Sequence, residues 1–177
     1  MTVNALFLGL AKTIDGGALQ AGALWALSDI PGFPPLIQTV HILGIAAVMG
    51  SVVMINLRML GLALPSQSLP EMNRRLMPWL WWALLANVVS GGFFLFARPF
   101  RYFDNPVFLW KLAFLLPAII VSYLVYVVSV RSEDGWSRTA VRRVSCKIAA
   151  LLSLGLWIMT AMAGRWIAYA EYLYYPA

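Results

Sequence analysis

The sequence predicts an all-α protein: a four-helix transmembrane bundle preceded by an interfacial N-terminal helical segment. Three observations predict it. Of the 177 residues, 62% are hydrophobic and 11% charged, with a mean hydropathy of +0.79, whereas soluble domains run nearer half apolar and a quarter charged. The apolar residues form four runs of the length needed to cross a ~30 Å hydrocarbon core at 1.5 Å per residue. Prolines and glycines separate these runs, and the basic residues gather in the short segments between them.

Residues 1–35 are apolar but interrupted by Lys12, Asp15, Gly16 and Gly17. Two short helices lying on the membrane, with Trp25 at headgroup depth, fit this segment better than a fifth span. No basic residue precedes its first apolar stretch, so it is expected to stay in the mature chain rather than be cleaved as a secretory signal. Residues 36–177 form the transmembrane domain. Its first span, about 36–64, follows the breaker Pro31-Gly32-Phe33-Pro34-Pro35 and ends at Pro65. The second, about 78–97, is opened by Pro78 in a first-turn position and closed before Pro99. The third, about 107–130, starts after Asn105-Pro106, and the fourth covers about 147–169. No internal repeat or low-complexity segment stands out.

Orientation follows from the loops. The first loop and its flank carry Arg58, Arg74 and Arg75, and the third carries Arg131, Arg138, Arg142, Arg143 and Lys147. The second loop has Arg98 and Arg101, and the tail has Glu171. The positive-inside rule puts loops one and three in the cytoplasm, with both termini extracytoplasmic. Trp79, Trp81 and Trp82 on one side, and Tyr169, Tyr172, Tyr174 and Tyr175 on the other, suit the two membrane boundaries.

Several function classes are excluded. One cysteine, Cys146, allows neither an intramolecular disulfide nor a multi-thiolate metal site. One histidine, His41, rules out a His-rich zinc site and a bis-histidine haem within one chain. The +6 net charge sits beside apolar spans and belongs to membrane topology, so no nucleic acid is expected. No nucleophile–base–acid set is visible, so an autonomous hydrolase or kinase is not expected.

What remains is a polar set at the outer face. His41 lies about one and a half turns into the first span, Lys111 just inside the third, Arg165 in the outer part of the fourth, and Arg98 at the outer end of the second. Asp104 is the nearest acid. Anchoring alone would explain Arg98 and Lys111, because long cationic side chains snorkel to headgroups. A backbone carbonyl would equally satisfy a bundle histidine at position 41. Arg165 reads as inward-facing, since lipid-facing arginines are disfavoured.

The sharper reading is a pocket for an anionic or redox-active ligand. A neutral imidazole ligates haem iron or copper, or hydrogen-bonds a quinone carbonyl, and arginine forks suit haem propionates. Haem b held by His41, its propionates on Arg98 or Arg165, would be five-coordinate or take Lys111, Met162 or another subunit as its second ligand. Met159 and Met162 share a face that would suit Cu(I), although methionine is also common filler in apolar bundles. Gly44, Gly50 and Ser51, the run Ser90-Gly91-Gly92, and Ala161, Ala163 and Gly164 read as close-packing positions. Asn56 and Asn87 read as interhelical hydrogen-bonding groups.

Three stretches occur in order: His41-Ile42-Leu43-Gly44, Asn56-Leu57-Arg58-Met59-Leu60-Gly61, and Asn105-Pro106-Val107-Phe108-Leu109-Trp110-Lys111. Together they resemble an uncharacterised family of small four-helix bacterial inner-membrane proteins, over most of residues 36–165. A looser similarity runs to copper-resistance membrane proteins and membrane b-type cytochromes, from which the chain departs by lacking paired histidines. The resemblance implies a multi-pass protein of the bacterial inner (plasma) membrane. Two functional readings follow. One is a small redox-associated subunit with haem b or quinone at His41, Arg98, Lys111 and Arg165. The other is a non-catalytic anchor or assembly subunit. The expected partners are the lipid bilayer and other membrane or extracytoplasmic subunits, and a transporter would need oligomerisation to form a pathway.

Overall fold

A computed structural model describes residues 3–131, 139–170 and 172. Arg138, Glu171, Tyr174 and Tyr175, used above for orientation, lie outside the described residues. The described elements are α1 (Val3–Ile14), α2 (Ala18–Asp29), α3 (Phe33–Leu60), α4 (Leu69–Ala97), α5 (Pro99–Phe103), α6 (Pro106–Arg131), α7 (Ala140–Trp166) and a terminal 3-10 turn, Ile167–Tyr169. No strand occurs among the described residues. Four helices, α3, α4, α6 and α7 with its terminal turn, are long and apolar enough to cross a membrane.

Local chemistry sets the helix ends. α3 stops at Leu60, four residues short of the expected end, because Gly61 adopts a left-handed conformation (φ 79°) and caps the helix. The Leu62 N–H then returns to the Leu57 carbonyl at 2.9 Å. α4 starts at Leu69 rather than at Pro78. Ser68 and Glu71 have the spacing of a capping box, and the Ser68 hydroxyl accepts the Glu71 N–H at 3.3 Å. Pro78 is therefore inside the helix, forgoing one backbone hydrogen bond. α7 likewise starts seven residues before Lys147, where the Thr139 hydroxyl accepts the Arg142 N–H at 3.3 Å. Ser68→Ala is expected to lower stability by about 1 kcal/mol, with Ser68→Asp retaining it. Thermal melting in detergent checks this, and equal melting of all three proteins would refute the cap.

The four long helices form a square. α3 neighbours α4 and α7, and α6 neighbours the same two, so α3 faces α6 across one diagonal. The core contains Val48, Val52 and Ile55 of α3, Met77 and Leu80 of α4, Ala118 and Val125 of α6, and Ala150 and Trp157 of α7. Ile42, Leu43, Leu85, Val88, Leu116, Ile120, Ile148 and Leu151 point outward and are exposed. A belt of that kind on every long helix is a lipid-facing surface.

The N-terminal region forms two short helices. α2 packs on α4 and α3, while α1 packs on α5 with the Phe7 and Phe103 rings 5.6 Å apart. The Asn105-Pro106 entry also has a mechanical role. Asn105 Oδ1 accepts the Val107 N–H at 2.9 Å, capping α6, while its Nδ2 donates to the Ile167 carbonyl at 3.1 Å. The start of α6 is thereby tied to the end of α7.

Candidate functional site

At the end of the bundle where α3 and α6 begin and α4 and α7 finish, two cationic or imidazole side chains come from diagonally opposite helices. His41 on α3 is half-buried, and its ring lies against Gly91 of α4. A Cβ at position 91 would stand 3.3 Å from His41 Cε1. Lys111 on α6 is also partly buried and lies along Gly164 of α7, where a Cβ would stand 3.6 Å from both Cε and Nζ. Each long side chain thus runs over a glycine of its neighbour, which leaves room for it.

The His41 tautomer follows from its neighbours. His41 Nδ1 lies 2.8 Å from Ser90 Oγ. The single hydroxyl proton of Ser90 is already donated to the Ala86 carbonyl at 2.6 Å. The arrangement that keeps both contacts has Ser90 accepting and Nδ1 carrying the hydrogen. In the neutral ring Nε2 is then a bare lone pair. Ser90 is completely buried, so this orienting contact is held away from lipid and water. Beside it, Asn87 lays its amide over Gly44 of α3, and its buried Oδ1 has no hydrogen-bond partner among the described residues.

The other two residues expected here are at the same end of the bundle but outside the His41–Lys111 pair. Arg165 is exposed rather than inward-facing. Its guanidinium reaches the Tyr169 hydroxyl at 3.2 Å and sits 5.4 Å from that ring's centre, a contact within its own helix end. Arg98 is exposed at the C-terminus of α4. It lies near Tyr102, whose phenol burial pushes above its usual range while Arg101 and Arg98 pull it back. Asp104 is exposed, and the single ion pair among the described residues, Arg75–Glu71 at 2.6 Å, is at the opposite end. Among the described residues Lys111 therefore has no carboxylate partner. Met159 and Met162 are exposed on the outside of α7. No group of three or more His, Cys, Asp or Glu stands together among the described residues.

Ser90 was read from sequence only as a packing residue. A buried imidazole N–H needs an acceptor, and a serine flanked by two glycines at matching depth was the available signal. What the arrangement offers a ligand is one acceptor or metal-ligating nitrogen (Nε2) and, across the bundle axis, one ammonium with no carboxylate among the described residues. The profile of a family of unknown function (DUF6644) matches residues 32–170, which include all of these groups. No curated protein and no solved structure matches the chain.

Proposed function

The chain belongs to DUF6644, a family with no assigned function, and from its own residues we propose that it binds the headgroup of a membrane-soluble quinone or quinol between His41 and Lys111. The observation that carries this reading is the Nδ1–H held on Ser90, which leaves Nε2 to accept a quinol hydroxyl. Lys111, partly buried and with no carboxylate partner among the described residues, supplies the donor for a ring oxygen on the other side. A partly buried ammonium in lipid is costly, and a polar ligand offsets that cost. The proposed setting is the bacterial inner membrane with this end outward, because Arg74, Arg75, Arg142, Arg143 and Lys147 flank the opposite end.

Haem b on His41 is the second reading, and the same observation favours it. An imidazole whose Nδ1–H is fixed by a hydrogen bond presents Nε2 in the manner of metal-ligating histidines. Its propionates would fall to Arg98 or Arg165, both exposed at the same end of the bundle.

The test uses the full chain purified in mild detergent, with an oxidised-minus-reduced spectrum, organic extraction of quinone, and titration with a short-tailed quinone analogue. The expected result is a colourless protein with extractable quinone, each of His41→Ala and Lys111→Met weakening the analogue about tenfold or more, the worth of ~1.4 kcal/mol. Lys111→Met should melt at or above the wild-type temperature, since it removes an unpaired charge while keeping the unbranched stem. Near-stoichiometric haem lost in His41→Ala would put the second reading first. Neither ligand, with both variants folded, would overturn both and leave an anchoring or assembly role.

A further inference from the structure

Away from the His41 end, all four helices surround a small cavity of about 10 Å³, lined by Val52, Ile55, Asn56, Met77, Leu80, Ser122, Val125 and Ser153. That is near the ~10–15 Å³ needed for one water molecule. Five of the eight lining residues are apolar, but the three polar ones come from three different helices: Asn56 on α3, Ser122 on α6 and Ser153 on α7.

Their hydrogen bonds are incomplete in a complementary way. Asn56 Nδ2 donates to the Val52 carbonyl at 2.8 Å and to Ser153 Oγ at 3.1 Å. Trp157 Nε1 donates to Ser122 Oγ at 3.0 Å. Both serine oxygens thus accept, and neither hydroxyl proton has an acceptor among the described residues. Elsewhere in the chain, Ser28, Thr39, Ser90 and Thr160 each donate to the carbonyl four residues back. Ser122 and Ser153 make no such bond, although both sit inside long helices. Both Asn56 bonds are made by Nδ2, and no donor to its Oδ1 occurs among the described residues. Two unspent donors and one unspent acceptor therefore face one water-sized space.

We infer that this cavity holds a single ordered water, which accepts from Ser122 and Ser153 and donates to Asn56 Oδ1. Three hydrogen bonds is the usual complement of a buried water, and in lipid no other solvent reaches these groups. A cation of water's size fits less well. Its ligands would be Asn56 Oδ1 and the two serine oxygens, and both serine oxygens already receive N–H bonds, from Asn56 and Trp157. The water connects α3 to α6 across the diagonal, where the two helices are not packing neighbours.

The test is a density map of the full chain in detergent or nanodisc, at a resolution that shows ordered water. A peak within hydrogen-bond distance of all three groups is expected, and it should disappear in Ser122→Ala/Ser153→Ala. Thermal melting should be the same in sodium, potassium and choline chloride. An empty cavity in a map that resolves other ordered waters overturns the inference. A peak with contacts near metal–oxygen length, or melting that rises specifically with one cation, overturns it in favour of an ion.

Discussion

Truncating Trp157 to alanine is expected to destabilise the bundle by about 3 kcal/mol, more than any other single truncation in the chain. Trp157 is 3% exposed and sits in the core among residues of all four long helices. In soluble proteins the loss from Phe or Trp to Ala is about 3–5 kcal/mol, part transfer and part cavity. Between membrane helices the transfer part shrinks, because lipid is as apolar as the core, and packing supplies the rest. The lower end of the range is therefore the expectation. Trp157→Phe should cost less, since it keeps most of the volume and mainly frees the Ser122 oxygen at 3.0 Å. Unfolding in mixed dodecyl maltoside and SDS checks both variants. A loss below about 1 kcal/mol for the alanine would show that the interior is not packed around this ring.

The second large effect is at Gly44, on the face where α3 meets α4. A Cβ there would stand 2.7 Å from Asn87 Oδ1 and 3.0 Å from its Cγ and Nδ2. The amide must move or the helices must separate. Gly44→Ala should cost about 1–3 kcal/mol, the usual range for overpacking. Asn87 Oδ1 has no partner among the described residues, so Asn87→Ala alone should be close to neutral. The double variant should then recover most of the loss, a coupling well outside the scatter of independent sites. Additive losses in the double variant would mean that Gly44 is needed for some reason other than the Asn87 amide.

Much of the architecture was legible in the sequence, for reasons visible in particular residues. Uninterrupted apolar length located all four spans, and the breaks at Lys12, Asp15, Gly16 and Gly17 separated the two short helices from them. Helix starts were less legible. Pro78 looked like a first-turn residue, while the stronger signal ten residues earlier, Ser68 with Glu71, lay in a polar stretch that reads as loop. At α7 the basic residues Arg142 and Arg143 concealed helical turns in the same way.

The candidate site was half legible. Position along a helix fixes depth, so placing His41, Lys111, Arg98 and Arg165 at one end needed only counting. Which of them turn inward depends on rotation, at 100° per residue, and on what the neighbouring helix offers. His41 and Lys111 turn over Gly91 and Gly164, whereas Arg165 is exposed and turns to Tyr169. Ser90 could be assigned as the partner of His41 only once the register of α3 against α4 was known.

The glycine pairing has one more consequence. His41 and Gly91 belong to the first helical hairpin, α3 with α4, and Lys111 and Gly164 belong to the second, α6 with α7. Each hairpin is thus a self-contained half-site, with its own side chain and its own seat for it. A molecule touching both halves works as a clamp: it binds only when the hairpins are docked, and it stabilises the docked form by RT ln(1 + [L]/Kd). Occupancy then reports on assembly, and a separated pair of hairpins would keep both halves intact yet bind nothing.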